Sequence, residues 1–426
     1  MSGGRGLGPL ADHATAVVVG GGPAGIATAL ALQQGARALG RQVRVVVVEG
    51  KRFANGGHYN QCAGVLSPPI VELLRDELDL AFPHHLTRAT ITGYVLHTTA
   101  ADILLDGACE PSLAVRRLHF DSYMVEAAQA KGVEVVSGRL TDLEFHADQV
   151  MAYTEVGPLA ADVVVGAFGL DEGAAAIFRR TTAYRPPPAL VSVVTKYHPG
   201  GEAIAAFGSR IHAFIPAVQA VEFGAITPKG NHLTLNIAGA AVGARHMEAF
   251  LRLPMVRRVL PGLENAGRLD ANDLRYFRGR FPNGLAHGSS GDRYVMVGDA
   301  GGLVRAFKGK GVTSGIQTGV RAAQVILRQG ISAAAFRAYH AANRDLVADM
   351  PYGQSVRHFT IWAARTGLMT AIVRAAEQCP PLRRALFDAV SGHRPYREVL
   401  QAGLTPATIA AVGRTVLELA GRTAHL

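Results

Sequence analysis

The stretch Thr15-Ala16-Val17-Val18-Val19-Gly20-Gly21-Gly22-Pro23-Ala24-Gly25 decides the fold. Its first half is β-branched, the pattern of a buried strand. Its second half holds G-x-G-x-x-G at Gly20, Gly22 and Gly25, and residues 23–39 then read as a helix. Residues 43–48 form a second apolar run that closes on Glu49. Strand, glycine turn, helix and strand make a βαβ unit for a dinucleotide. Gly20 permits the tight turn, Gly22 lets backbone approach a pyrophosphate, and Gly25 lets helix and sheet sit close. Pro23 and Ala24 open the helix, whose unpaired N–H groups face the phosphates. Glu49 is placed to accept hydrogen bonds from an adenosine ribose, and Lys51 just beyond it is a further candidate for cofactor binding. Such a dinucleotide is FAD or a nicotinamide.

The rest of the 426-residue chain sets the limits. Hydrophobic residues make up 49%, which excludes a disordered chain. Its 49 glycines show no three-residue period, so collagen is excluded. Lys and Arg number 43 against 33 Asp and Glu, a formal charge of +10. The arginines are dispersed and aromatics are 7%, so a nucleic-acid partner is not expected. Cys62, Cys109 and Cys379 form no Cys-x-x-Cys pair, so neither a disulfide framework nor a metal site is expected. No signal-peptide core and no spanning run is apparent, making a cytoplasmic location the default.

Further along, residues 71–80 and 121–131 read as helices. Residues 89–105 read as two strands, and 133–136, 140–145, 150–155 and 162–166 as single strands. After a Pro-rich break at 185–188, residues 190–197, 212–215, 221–227 and 233–237 read as antiparallel strands. A buried strand at 293–297 precedes a helix over 312–328, and the tail reads as helical, broken by prolines at 351, 380, 381, 395 and 406.

The segment Tyr294-Val295-Met296-Val297-Gly298-Asp299-Ala300-Gly301-Gly302, followed by Lys308-Gly309-Lys310-Gly311-Val312, chooses between the dinucleotides. It resembles the second FAD motif of the flavoproteins that include para-hydroxybenzoate hydroxylase and geranylgeranyl reductase. The resemblance implies that Gly298 and Asp299 bind the ribityl chain. It also implies that Gly309, Gly311 and Val312 pack by the flavin at a helix N-terminus. Arg117-Leu118-His119-Phe120-Asp121 matches the family's Arg-x-x-Phe-Asp, whose arginine contacts the cofactor; an Arg117–Asp121 surface pair is the other reading.

Within that family, Asn60-Gln61-Cys62-Ala63-Gly64-Val65-Leu66-Ser67-Pro68 resembles the geranylgeranyl reductase branch. This implies that Cys62 and Ala63 lie beside the flavin, with Cys62, His58, Tyr59 or water as proton donor. A second marker, Phe223-Gly224-Ala225-Ile226-Thr227-Pro228-Lys229-Gly230, resembles the reductases' Tyr-x-Trp-x-Phe-Pro followed by Lys-Gly. Phe223, Ala225 and Thr227 share one face of a strand and are the candidate substrate-binding residues. Gly166-Ala167-Phe168-Gly169 stands where many relatives carry Gly-Ala-Asp-Gly, which puts direct use of NAD(P)H in question. Flavin halogenases carry Trp-x-Trp-x-Ile-Pro, and the single tryptophan here is Trp362.

The resemblance implies an α/β fold: a Rossmann-like FAD-binding domain, an antiparallel-sheet substrate domain and a C-terminal helical region. The expected FAD-binding domain is discontinuous, over 13–89, 110–175 and 285–345. The sheet domain takes 90–109 and 176–284, and the helical region 346–426. The implied reaction is reduction of a C=C bond in an isoprenoid or similar apolar substrate by hydride from reduced FAD, with NAD(P)H or ferredoxin as electron donor. The alternatives are a monooxygenase of an aromatic or polyketide-like substrate, or a flavoprotein electron carrier. The tail has two readings. Residues 351–426 hold nine Arg and four acidic residues, with apolar positions between Arg357, Arg365 and Arg374. That suits either a peripheral membrane face or a packed helical cap.

Overall fold

The structure is a computed structural model and describes residues 6–51, 62–107, 110–261, 274–305 and 311–423. The first strand, Thr15–Val19, is buried along its whole length. Ala16 and Val18 face one core, shared with helix Pro23–Ala38 and helix Gly311–Arg328. Val17 and Val19 face a second core beneath a three-stranded sheet. Cover on both faces is why this strand reads as an unbroken apolar run rather than an alternation.

The first sheet runs Ser290–Gly291, Tyr294–Met296, Val163–Gly166, Thr15–Val19, Arg44–Glu49, Glu134–Ser137. All neighbours are parallel except the antiparallel edge pair Ser290–Gly291 and Tyr294–Met296. The three central strands therefore end side by side. The turns after Val19, Gly166 and Met296 open on one edge, where α/β sheets bind ligands.

The expected FAD-motif helices form as Pro23–Ala38 and Gly311–Arg328 and pack along each other. A Cβ on Gly319 would stand 2.5 Å from the Ala24 carbonyl oxygen, so this contact requires glycine.

The second large sheet has seven strands: Phe277–Pro282, Ala189–Tyr197, Leu233–Gly239, Phe223–Pro228, Arg210–Phe214, Gly93–His97, Asp102–Asp106. It is not wholly antiparallel, because Arg210–Phe214 pairs in parallel with Gly93–His97. These two strands lie over a hundred residues apart, so a long crossover replaces a hairpin. Residues 89–105 contribute to three strands rather than two: Thr87–Ile91, Gly93–His97 and Asp102–Asp106. Strands Ser112–Val115, Gly157–Ala161 and Phe277–Pro282 carried no clear signal: Gly157–Ala161 is Gly-Pro-Leu-Ala-Ala, and Phe277–Pro282 alternates with Gly and Arg. The helix expected at 71–80 is a short turn, Ile70–Glu72, widening into a π turn over Leu73–Glu77.

The tail folds as helices Arg344–Arg365, Leu368–Gln378, Pro380–Ser391, Tyr396–Gly403 and Pro406–Thr423. Pro351 does not break the chain but lies inside Arg344–Arg365. Met350, Gly353 and Val356 are buried around it, and this packing outweighs the one lost backbone bond. Pro380 and Pro406 instead open helices, as suits a residue without an N–H. Ile372, Val373 and Phe387 pack on Tyr94, Leu96, Ile103 and Leu105 of the second sheet. Arg357, largely but not wholly buried, makes a two-pronged ion pair with Glu222, at 2.5 and 2.6 Å, and Arg374 donates to the Ala100 carbonyl. Two of the three arginines considered for a lipid face thus hold the tail onto the sheet. Among the described residues, no helix is long and apolar enough to cross a membrane.

Candidate active site

One cavity of about 880 Å³ runs from the glycine turn to the second sheet. At its first end lie Gly20, Gly22, Pro23, Ala24, Glu49 and Lys51. Its middle is lined by Cys62, Ala63, Arg117, Asp299, Gly311 and Val312. Phe223, Ala225 and Thr227 line the far end, as their shared strand face requires. Gly25 and Gly298 do not face the cavity but let neighbouring backbone close up. A Cβ on Gly25 would stand 1.9 Å from the Gly20 carbonyl oxygen, and one on Gly298 2.9 Å from the Ala24 Cβ. At Gly22, by contrast, a Cβ meets nothing within 4 Å: this position points into open space. His58, Tyr59 and Gly309 lie outside the described residues, as do Lys308, Lys310 and Cys109.

The first end has the chemistry of a phosphate and ribose site. Helix Pro23–Ala38 begins at this end and helix Gly311–Arg328 at the middle of the cavity, so each turns a partial positive charge on it. Glu49 is 8% exposed, and its carboxylate accepts from the backbone N–H groups of Gly21 (2.7 Å) and Lys51 (2.6 Å). Each of its oxygens keeps lone-pair capacity for a ligand hydroxyl.

Arg117 does pair with Asp121, as one reading held, yet the pair is buried rather than on the surface. The Arg117 side chain is 12% exposed, and its guanidinium donates to both carboxylate oxygens at 2.9 and 3.2 Å. Burial opposes its charge, but Asp121, Cys62 and Asp299 outweigh that and hold its pKa above the ordinary value. Burial pushes the Asp299 carboxyl up, against the pull of Arg117. Phe168, in the place of an acidic residue, lines the cavity and stacks on Phe178 at 5.3 Å, with Tyr184 edge-on at 5.9 Å.

The structure adds residues with weak or no sequence signal. Phe214 and Phe281 join the far wall, and Val390 and Ser391 of the tail close it. Lys229, the lysine of the Pro-Lys-Gly marker, is 4% exposed, with its Nζ 3.4 Å from the Cys62 carbonyl oxygen. A Cβ on Gly64 would meet that nitrogen at 2.7 Å. Burial brings the Lys229 amine down to about 8; Cys62 opposes this, while Lys196, Arg117 and Arg116 add to it.

A stability prediction follows from that buried ammonium. The unfolded chain holds its proton up to the ordinary value of 10.5, the folded chain only to about 8. Between these values the unfolded state binds more protons, so stability rises with pH across that window. Below about 8 the folded state carries the full penalty, about 3 kcal/mol. Lys229→Met is therefore expected to stabilise the protein at pH 7, with the gain fading toward pH 10.5. Urea denaturation at pH 7 and pH 10 measures this, and an equal effect at both would contradict it.

No family model matches the chain, and no curated protein matches it. Solved structures do. A geranylgeranyl bacteriochlorophyll reductase-like protein from Thermoplasma acidophilum superposes with a TM-score of 0.70 at 15% identity, covering 95% of this chain and 99% of that one. The flavin-dependent brominase Bmp2 gives 0.66 at 18% identity, covering 96% and 100%. The p-nitrophenol 4-monooxygenase PnpA from Pseudomonas putida gives 0.64 at 17%, covering 90% and 99%. At these identities the likeness establishes the fold: an α/β protein with a parallel sheet, further sheets and a C-terminal helical region, shared with these flavoproteins.

Proposed function

We propose that this chain is an FAD-dependent oxidoreductase that reduces C=C bonds of an isoprenoid or similar apolar substrate. The carrying observation is the single cavity that joins a dinucleotide-binding turn to an apolar sheet face. Its first end fits the cofactor, since Gly22 leaves open space and Glu49 and the start of helix Pro23–Ala38 face it. The Gly20–Gly25 turn and Glu49 would hold the adenosine and pyrophosphate, and Arg117, Asp299, Gly311 and Val312 the flavin half. FAD, when bound and reduced by an external electron donor, would supply the two-electron chemistry at this site. Cys62 lines the cavity and would give the proton that completes the reduction. Phe223, Ala225, Phe281 and Leu96 exclude water and orient the apolar chain.

The solved flavoprotein structures that share the fold differ in chemistry, so the test must separate reactions rather than folds. Anaerobic photoreduced protein is mixed with a panel of polyprenyl compounds, and flavin reoxidation is followed by absorbance. Reoxidation by at least one member is the expected result; none by any member sinks the isoprenoid reading. A second reading, oxygenation of an aromatic substrate, is favoured by the paired Phe223 and Phe281 rings at 6.5 Å in the cavity wall. It requires substrate-dependent oxygen consumption with NAD(P)H, which the first reading does not.

A further inference from the structure

Along strand Leu233–Gly239 the side chains alternate. Leu233, Leu235 and Ile237 enter a core with Phe250 and Met255, and Asn236 turns to the cavity. Across the sheet, Asn236 belongs to the row Val194, Asn236, Ala225, Ala213, Leu96, Ile103. Every other member of that row is apolar. The Asn236 Oδ1 is buried and has no hydrogen-bond partner among the described residues. Of the buried side-chain atoms left in that condition, it alone belongs to a residue on the cavity wall.

An amide in such a place is costly. Leaving a buried polar group without a partner costs about 1–3 kcal/mol, and asparagine is a poor strand former besides. A leucine or valine would fill the row at no such cost. Asn236 as a whole is only part-buried, so a turn of its amide about χ2 brings the oxygen to the cavity side, where a ligand can supply the missing partner. An amide both donates and accepts, so whichever way it is turned, a hydroxyl or carbonyl oxygen can pair with it.

We propose that Asn236 is the polar anchor of the substrate chamber, selecting an apolar molecule that carries one hydroxyl or carbonyl group over the plain hydrocarbon. This rests on the reading of the sheet face as the substrate chamber, and it narrows the substrate class. Asn236 acts on specificity and positioning; the redox chemistry lies elsewhere in the cavity.

The test uses Asn236→Leu, close in size, in the flavin-loaded full chain. Perturbation of the flavin spectrum reports binding of two matched pairs in the same detergent. One pair is farnesol and its deoxy hydrocarbon, 2,6,10-trimethyldodeca-2,6,10-triene; the other is p-cresol and p-xylene. The wild type is expected to prefer the hydroxylated member of at least one pair by about 10-fold, one hydrogen bond's worth. Asn236→Leu should reduce that preference to within about twofold. Its melting temperature should equal or exceed that of the wild type, because an unpaired amide is removed. A preference seen only for p-cresol supports the anchor while counting against the isoprenoid reading. The anchor is overturned by no preference in either pair, by a preference that survives in Asn236→Leu, or by a lower melting temperature. The last would show that the amide already has a structural partner.

Discussion

Gly22→Val should give a folded protein that binds no flavin. A Cβ at Gly22 meets nothing within 4 Å, and its backbone (φ −73°, ψ 177°) is open to any residue. The folded state therefore loses little, within about 1 kcal/mol at a helix N-cap. The same open space is where a pyrophosphate has to touch backbone, and two added methyl groups fill it. We expect flavin content after reconstitution, read as visible absorbance against protein absorbance, to fall at least about 100-fold, the effect of displacing two or more charge-assisted hydrogen bonds. Gly25→Val is the contrast. Its Cβ would overlap the Gly20 carbonyl oxygen, so turn and helix must separate and the protein should not accumulate in soluble form. Full flavin content in Gly22→Val would remove the dinucleotide assignment of this turn.

Arg357→Ala is expected to release the tail. Arg357 and Glu222 are 12% and 9% exposed and share two short hydrogen bonds. Removing one partner strands the other as a buried unpaired charge, a loss of about 3–5 kcal/mol. Because the chain has several packed units, the loss should be local, so hydrogen exchange is the measurement. Amides in Leu368–Gln378 and Pro380–Ser391 should exchange faster, while those in Thr15–Val19 should not. Glu222→Leu combined with Arg357→Met should restore most of the protection, since an apolar pair of similar volume removes the stranded charge. Unchanged exchange in Arg357→Ala would mean that the pair contributes nothing to holding the cap.

How much of this was legible beforehand depends on the range of the forces involved. The glycine turn, its strand and its helix were readable because βαβ geometry is fixed by neighbours within about thirty residues. Phe223, Ala225 and Thr227 share a cavity wall for the same reason, the two-residue period of a strand. Strand Gly157–Ala161 was not readable: it forms by pairing with Val150–Thr154, and Gly-Pro-Leu-Ala-Ala has no propensity of its own. Pro351 misled because local chemistry argues for a break while the buried residues on either side argue for continuity.

The sequence by itself determined where the candidate residues stand: Gly20 to Gly25, Glu49 and Asp299 follow neighbouring strands of one sheet, and Arg117 opens a helix at the same cavity. Each belongs to a local motif, and local motifs survive in one dimension. Only the tertiary structure decided what else lines the cavity and how it is closed. It brought the Lys229 ammonium against Cys62, left the Asn236 Oδ1 without a partner among the described residues in an apolar row, and laid Val390 over the far wall. These are contacts between residues up to about three hundred positions apart. They depend on desolvation and packing, which exist only once the chain has folded.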